Sequence, residues 1–143
     1  MKLYELFDRT VPWNWTSKTP TRWEATFPIH DGETVVELLD IGDGMWEFSW
    51  EYRGPGEEEG TVAATGKGDE FNIISTVINI LKTFMQETQP QTVVLSALKR
   101  EPTRVKMFDR LWTKAFGREW NVDRRERGAA VEYTLTRKQN ETI

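Results

Sequence analysis

The chain has 143 residues, of which 38% are hydrophobic and 29% are charged, a balance that excludes a disordered polymer. It contains no cysteine and a single histidine, His30, which excludes disulfides and thiolate chemistry and leaves no zinc cluster to predict. No stretch approaches 18 apolar residues and the N-terminus carries no signal-peptide pattern, so we expect one intracellular, cytoplasmic domain with no membrane partner.

Charge is distributed unevenly along the sequence. Residues 1–98 hold 7 basic and 16 acidic side chains, whereas residues 99–138 hold 12 basic and 6 acidic ones. Such an asymmetry can mark an anion-binding face, but two oppositely charged surfaces that keep a molecule soluble and orient it produce the same counts. Both interpretations stay open at this point.

The first 21 residues predict an arm that packs on the domain. A short helical turn opens it, and Pro12 and Pro20 forbid a long helix. Tryptophans here favour packing onto the core, with a binding platform as the alternative: Trp13, Trp15 and, in the next segment, Trp23. Residues 22–29, RWEATFPI, alternate apolar and polar groups, which predicts a half-buried strand.

A hairpin with one aromatic face is the clearest supersecondary pattern. A β-rich run leads to the turn Gly42-Asp43-Gly44, after which four aromatic residues alternate with polar ones: Trp46, Phe48, Trp50 and Tyr52 against Glu47, Ser49 and Glu51. That period of two predicts a strand with one aromatic face. The acidic segment GPGEEEG predicts a solvated loop, and TVAAT at 61–65 predicts a fourth strand.

The turn Gly66-Lys67-Gly68 leads from that strand into a helix of about five turns. Its apolar residues recur every three or four positions: Phe71, Ile74, Val77, Ile78, Leu81, Phe84 and Met85. Pro90 ends the helix. The segment TVVLSAL at 92–98 predicts a central strand that is covered on both faces and is reached by a parallel crossover.

A second amphipathic helix and a closing hairpin complete the pattern. The helix covers EPTRVKMFDRLWTKAFG with Gly117 as its C-cap, and its core positions are Val105, Phe108, Leu111 or Trp112, and Ala115. EWNV and AAVEYTLTRK predict two strands joined by a charged loop, DRRERG, and residues 139–143 predict a frayed tail. The order β-β-β-β-α-β-α-β-β predicts an α+β domain over residues 1–138, with a mixed, mostly antiparallel sheet and two main helices.

This element order resembles the acyltransferase fold of the GNAT superfamily. In that family a Q/R-x-x-G-x-G/A turn and the helix after it bind the pyrophosphate of coenzyme A through free N–H groups and a partial positive dipole. The resemblance implies a cofactor-binding turn at Gly66, Lys67 and Gly68. The chain is also similar to small tailed-bacteriophage proteins with a reduced GNAT fold, through LYELFDRTVPWNWT, ATGKGDEFNIISTVINIL and LSALKREPTRVKMFDRLW.

Several residues depart from the acyltransferase pattern. Ala63 occupies the Q/R position, and Asp69 and Glu70 follow the glycines, where they suit an unliganded helix N-terminus better than a pyrophosphate. Phe108 stands where many GNAT enzymes carry a tyrosine as general acid, and it has no proton to give, while Tyr133 is not a match by position. We therefore predict a domain that requires no cofactor, with coenzyme A as the alternative.

Two glutamates are candidate catalytic residues. In GNAT enzymes a strand glutamate in this region can act as a general base through water, and Glu47 and Glu51 lie in the corresponding region of this chain. His30, before a glycine turn, is predicted to be a surface loop residue. A further acidic group around the hairpin is predicted to be exposed rather than to bind metal, and it comprises Glu33, Glu37, Asp40 and Asp43.

The basic C-terminal half offers a surface for an anionic partner. Lys106, Arg110 and Lys114 are spaced four apart on the second helix, so they form one stripe that can hold RNA, DNA or an acidic protein. The negative net charge and the absence of interleaved aromatic residues argue against nucleic acid. The resemblance, taken with these departures from the acyltransferase pattern, implies a phage-encoded, non-catalytic GNAT-like domain that binds a protein partner, with a host protein in the host cytoplasm as the expectation. The alternatives are an acyl-CoA-dependent N-acyltransferase and a nucleic-acid or virion-assembly protein.

Overall fold

The computed structural model describes residues 10–29, 32–54, 70–100 and 102–138. Several features predicted from the sequence lie outside these residues: the turn Gly66-Lys67-Gly68, the strand at 61–65, His30, Ala63, Asp69 and the tail at 139–143. The predicted helical turn within residues 1–9 and the acidic loop at 55–60 also lie outside them.

Seven strands and two helices occupy the described residues. The strands are β1 Asn14–Lys18, β2 Arg22–Ile29, β3 Gly32–Gly42, β4 Met45–Arg53, β5 Thr92–Leu98, β6 Trp120–Arg127 and β7 Ala130–Arg137, and the helices are α1 Glu70–Thr88 and α2 Pro102–Phe116. The predicted α+β class, with a mixed sheet and two main helices, is confirmed. One strand differs, because β1 lies inside the predicted arm, whereas the predicted strand at 61–65 falls outside the described residues.

The strands form one sheet in the order β1-β2-β3-β4-β5-β7-β6. Strand β4 pairs with β5 in parallel through its residues Met45–Glu47, and β5 pairs with β7 in antiparallel. The predicted parallel crossover starts from the strand at 61–65, which lies outside the described residues. The chain divides into two compact units. The described part of the first unit lies within 10–40 and 48–89, and that of the second within 41–47 and 90–138.

In the first unit, strands β2 and β3 separate a polar face from an apolar one. Glu24 pairs with Glu37 in the antiparallel register, so both side chains lie on the same face. The neighbouring residue Trp23 lies on the other face, where its ring centroid is 5.3 Å from that of Phe84 in α1. Helix α1 therefore packs on the apolar face of this part of the sheet.

The aromatic strand behaves as its period of two predicts. In β4, Phe48 and Trp50 are buried, whereas Glu47 and Ser49 are exposed. The hairpin turn before it also has the predicted location, and its three residues Gly42, Asp43 and Gly44 have positive φ angles of 95°, 55° and 74°. Glycine reaches that conformation without the steric cost that a Cβ imposes, so the two glycines fit the turn.

Helix α1 is buried around most of its circumference. The predicted apolar residues that the structure describes are all buried: Ile74, Val77, Ile78, Leu81, Phe84 and Met85. Ser75 and Thr76 are buried as well, and both have partners in the N-terminal arm. The hydroxyls of Thr10 and Ser75 lie 3.1 Å apart, and the Val11 N–H donates to Thr76 Oγ1 at 2.9 Å. These hydrogen bonds offset the free-energy cost of burying the two hydroxyl groups on this face of the helix.

The tryptophans of the arm pack on the domain, as predicted. Trp13 Nε1 donates to Asn79 Oδ1 in α1 at 2.8 Å. Its ring centroid lies 5.0 Å from that of Trp15, which lies 5.0 Å from that of Trp23, and both pairs are edge-to-face. Lys18 Nζ lies 4.9 Å from the Trp23 ring centroid and so caps this aromatic row.

In the second unit, α2 packs its apolar face on β5, β6 and β7. Phe108, Leu111 and Trp112 are almost fully buried, in agreement with the predicted helix face. The helix ends at Phe116, before Gly117, as predicted. A Cβ on Gly117 would meet the backbone carbonyl of Thr113, so a close approach rather than a left-handed φ accounts for glycine there.

The prediction that DRRERG forms a loop is wrong. Strand β6 runs from Trp120 to Arg127 and includes the charged run, so the hairpin turn falls at Gly128 and Ala129, with Gly128 at a φ of 57°. A run of charged residues lacks the apolar alternation that marks a half-buried strand, but pairing with β7 supplies its backbone partners. Within the described residues, neither α1 nor α2 is long and apolar enough to cross a membrane.

Candidate binding cleft

A cleft lies on the first unit, across strands β2, β3 and β4. Its lining consists of Arg22, Glu24, Val35, Glu37, Ser49, Trp50, Glu51 and Arg53. We call it the charged cleft because five of these eight residues carry a charged side chain. The register of β2 and β3 explains the grouping, since Glu24 and Glu37 pair directly across the polar face.

Arg22 bridges the two glutamates that face each other across the strands. Its Nε donates to Glu37 Oε2 at 2.9 Å, and its Nη2 also lies 2.8 Å from that oxygen. The same Nη2 donates to Glu24 Oε2. Like charges directly opposite each other destabilise a strand pair, so the guanidinium between them removes that repulsion. The two carboxylates in turn raise the pKa of Arg22, with Glu24 the larger cause.

Glu24 is held in its ionised form. Its Oε1 accepts a hydrogen bond from Thr16 Oγ1 at 2.8 Å, and this bond is the main cause that lowers the pKa of Glu24. Burial works in the opposite direction, while the hydrogen bond from Arg22 and the positive charges of Arg22 and Arg53 lower the pKa further. Glu24 therefore acts as a fixed negative charge in the cleft.

A second guanidinium–carboxylate pair lies on β4. Arg53 donates from both Nε and Nη2 to Glu51 Oε1, and the Nε distance is 2.7 Å. The two residues are separated by one position, so they share the same face of the strand. Ser49 lies on that face as well and is exposed.

The cleft has the volume of a small-ligand site. It encloses about 340 Å³, and ligand sites in proteins commonly occupy roughly 300–1,000 Å³. Val35 is buried and gives the lining an apolar component, while the charged side chains keep about a quarter to almost half of their surface exposed. Such an arrangement can hold a charged group that carries an apolar stem.

The two candidate catalytic glutamates are separated in the structure. Glu51 lines the charged cleft and bonds Arg53, whereas Glu47 is exposed and is not part of the lining. Of the further acidic group, Glu33, Asp40 and Asp43 are exposed, as predicted, whereas Glu37 is half-buried and lines the cleft. Among the described residues, no group of three or more acidic or histidine side chains is placed to hold a metal ion.

In the second unit, Asp109 of α2 joins two residues of the closing hairpin. It accepts hydrogen bonds at Oδ1 from the Tyr133 hydroxyl at 2.7 Å and from Arg124 Nε at 2.8 Å. The Tyr133 hydroxyl also lies 3.2 Å from the Val105 carbonyl oxygen, to which it can donate. Burial, and then the carboxylate of Asp109, raise the pKa of Tyr133 well above its usual value. We call this group the Asp109 cluster.

The aromatic position of the predicted general acid lies beside this cluster. Phe108 has 1% of its surface exposed, and its ring centroid lies 6.0 Å from that of Tyr133, which is equally buried. On the opposite side of α2, the predicted basic stripe is exposed at all three positions: Lys106, Arg110 and Lys114. The predicted cofactor-binding residues Gly66, Lys67 and Gly68 lie outside the described residues.

The sequence analysis missed the arginines of the cleft. A signal was present, because Arg22 and Glu24, and likewise Glu51 and Arg53, are spaced two apart on predicted strands and must share a face. Pairing of residues distant in sequence could not be read from that spacing. Asp109, with Arg124 fifteen residues away, was missed for the same reason and because its partner was placed in a loop.

Comparison with solved structures identifies a similar fold. A mutant of the spermidine N-acetyltransferase SpeG from Vibrio cholerae aligns with a TM-score of 0.52 and 11% sequence identity. The alignment covers 82% of this chain and 66% of that chain, so this chain spans less than two thirds of that protein's length. No protein-family model matches the chain, and neither does any curated protein. The chain thus has a GNAT-like α+β fold, in agreement with the resemblance seen in its sequence.

Proposed function

We propose that this chain is a non-catalytic GNAT-like domain that is encoded by a bacteriophage and binds a protein partner, with a host protein in the host cytoplasm as the expected partner. The charged cleft is the observation that carries this proposal. Its arginines and glutamates are fixed against one another on an exposed sheet face, with Arg22 held between Glu24 and Glu37. Fixed charges of this kind confer specificity and orientation on an encounter between proteins.

The same charges are poorly suited to proton transfer. A general base works best with a pKa near the working pH, and the pKa of Glu24 is lowered by Thr16 and Arg22. The Oε1 atom of Glu51 accepts hydrogen bonds from two nitrogens of Arg53, so this carboxylate is already engaged in an ion pair. Both features support binding rather than catalysis at this cleft.

The environment of Phe108 supports the same proposal. A general acid must come within hydrogen-bond reach of the group that it protonates. Phe108 has no proton to give, and Tyr133 beside it is 1% exposed with its hydroxyl bonded to Asp109. Neither ring is placed to protonate a departing thiolate at the surface.

Affinity capture tests the proposal directly. The immobilised full chain is incubated with lysate of a bacterial host at several salt concentrations, and captured proteins are titrated for saturation. We expect one partner that saturates and that is lost when the chain is unfolded. If no protein binds saturably at any salt concentration, the proposed function is wrong.

An acyl-CoA-dependent N-acyltransferase is the second candidate, because the similar solved structure is that of an N-acetyltransferase. In this case the turn at Gly66, Lys67 and Gly68 would bind coenzyme A. A thermal-shift titration with acetyl-coenzyme A separates the two candidates, since a ligand at 100 times its dissociation constant stabilises the native state by about 2.7 kcal/mol. We expect no shift at millimolar ligand, and a saturable shift would favour the enzyme.

Nucleic-acid binding or a role in virion assembly is the third candidate, and the exposed stripe Lys106, Arg110 and Lys114 favours it. Neutralising three phosphates predicts a slope of about −2.7 in a plot of log affinity against log salt for duplex DNA. We expect no such binding at physiological salt. Size-exclusion chromatography over a hundredfold concentration range tests the assembly role, because self-association would shift the elution volume.

A further inference from the structure

We propose that the charged cleft binds a lysine or arginine side chain from a basic segment of the partner protein. This inference rests on the proposed function and adds the chemistry of the partner and the surface that receives it. Three properties of the cleft carry it: its local charge, the charge of the unit around it, and its size.

The local charge of the cleft is negative. Its lining holds three carboxylates, Glu24, Glu37 and Glu51, against the guanidinium groups of Arg22 and Arg53. Each arginine is already paired with these carboxylates, so the surplus charge in the lining is that of one carboxylate. An anionic ligand would be repelled by the surplus negative charge, because both guanidiniums are already neutralised by carboxylates. A cationic ligand would be attracted by the same surplus charge.

Two of the carboxylates keep capacity for a further donor. Glu37 and Glu51 have 31% and 34% of their side-chain surfaces exposed. An ionised carboxylate offers about four lone-pair positions, and the arginine contacts occur at one oxygen of each group, Oε2 in Glu37 and Oε1 in Glu51. An incoming ammonium or guanidinium can therefore bond these residues without breaking the existing pairs.

The surrounding charge favours the same ligand. The cleft lies in the first unit, whose described residues 10–29, 32–40, 48–54 and 70–89 include 7 acidic and 4 basic ones. A net charge of this sign raises the local concentration of cations and steers a basic partner to the surface. The excess of acidic residues in the N-terminal part of the chain, which the sequence left unexplained, thus has a role in attracting a basic partner.

The size of the cleft fits a side chain rather than a bare ion. A volume of about 340 Å³ far exceeds the share of about 30 Å³ that one water molecule occupies in the liquid. The buried residue Val35 in the lining gives an apolar surface for the methylene stem of lysine or arginine. The exposed hydroxyl of Ser49 adds a polar contact for the head group or for the backbone of the segment.

Nuclear magnetic resonance titration of the full chain tests this inference with a capped Gly-Arg-Gly peptide as the probe. Its matched control is the same peptide with citrulline, which keeps the shape of arginine but lacks the charge. We expect saturable shifts of the Glu37, Ser49 and Glu51 amides with the arginine peptide. Citrulline should weaken binding by about tenfold or more, the effect of losing a charged hydrogen bond.

Substitutions in the chain locate the binding site. Glu37→Gln and Glu51→Gln should each weaken the arginine peptide by about threefold or more, because each removes one acceptor charge of the cleft. Glu47→Gln is the matched control, since it removes the same charge from an exposed position of the same strand outside the lining. The spectra of the free variants check that each one retains the fold.

Three results would overturn the inference: equal binding of the citrulline peptide, an equal effect of Glu47→Gln and Glu51→Gln, or no saturation by the arginine peptide. A partner that is captured equally well by the Glu37→Gln/Glu51→Gln double variant would leave the proposed function intact and refute only the role of the cleft. Arginine binding at the cleft with no captured partner would instead refute the proposed protein-binding function.

Discussion

The charged cleft and the Asp109 cluster use the same chemistry in different surroundings. In the cleft, Arg22 joins two carboxylates of neighbouring strands on an exposed sheet face. In the Asp109 cluster, Arg124 and the buried Tyr133 converge on a carboxylate of helix α2. The first group lies within one sheet surface, whereas the second ties a helix to the hairpin on which it packs.

This difference separates a recognition surface from a structural one. An exposed ion pair contributes roughly 0–1 kcal/mol to the free energy of unfolding. The charged side chains of the cleft can therefore exchange one ion-pair partner for another at small cost to stability. Tyr133 buries its whole ring together with its hydroxyl, so the Asp109 cluster is coupled to the core. The cleft should thus tolerate substitution in stability measurements, and the cluster should not.

Tyr133→Ala should give the largest effect. It removes a ring that is 1% exposed and leaves a cavity beside Phe108, and replacing a buried aromatic residue by alanine costs about 3–5 kcal/mol. Urea unfolding followed by circular dichroism measures the loss. Arg22→Gln in the cleft is the counterpart, with an expected loss of no more than about 1 kcal/mol. Equal losses in the two variants would contradict the proposed contrast.

Gly32→Ala should come second, because the start of β3 approaches the end of β4 too closely to leave room for a side chain. A Cβ on Gly32 would meet the backbone carbonyl of Arg53 and lie 2.9 Å from Gly54 Cα. Forced overpacking of this kind costs about 1–3 kcal/mol. The same unfolding experiment measures it, with Ser49→Ala as an exposed control that should change stability by less than about 0.5 kcal/mol. A wild-type stability in Gly32→Ala would mean that the backbone of β4 can move aside.

Much of the fold could be predicted from the sequence, because apolar periodicity is a local signal. The face of α1 from Ile74 to Met85 and the buried side of β4 follow directly from it. The charged strand β6 could not be predicted, since its charged run lacks that periodicity and its strand conformation depends on pairing with β7. Strand β1 was missed because two prolines obscured a five-residue pattern.

The candidate site was harder to predict than the fold. Glu37 and Glu51 were noticed as acidic residues, but their association depends on which strands lie side by side. The bond from Thr16 to Glu24 joins residues eight positions apart through the pairing of β1 with β2, an arrangement that the sequence did not indicate. Residue spacing thus indicates which face of a strand a side chain occupies, and only the sheet order indicates its neighbours.

Tyr133→Phe sharpens the comparison by removing only the hydroxyl. The loss of one buried hydrogen bond costs about 1 kcal/mol. The pKa of Tyr133 is raised in the folded chain from a usual value of 10.0, so the protonated native state loses stability as the pH rises above that value and the unfolded chain ionises. We expect the wild type to lose stability more steeply above pH 10 than Tyr133→Phe. Parallel pH curves for the two proteins would contradict this.

Glu24→Gln should give the smallest effect, a loss of stability that is present near neutral pH and disappears in acid. Thr16 and then Arg22 lower the pKa of Glu24 in the folded chain, so its stabilising contribution is present above the usual glutamate value of 4.5 and is lost as the pH falls below it. Thermal unfolding between pH 7 and pH 3 measures the difference from wild type. We expect the two curves to converge in acid, whereas a constant offset would show that ionisation of Glu24 does not contribute.

The charge pattern of β6 has a consequence for the behaviour of the protein at high concentration. This strand is the last in the sheet order, and its residues from Asp123 to Arg127 are all charged and exposed. Cross-β stacking places identical side chains of successive chains about 4.8 Å apart, so each residue of this run would meet its own charge. A sheet that ends in such a strand resists growth into fibrils without needing a covering segment.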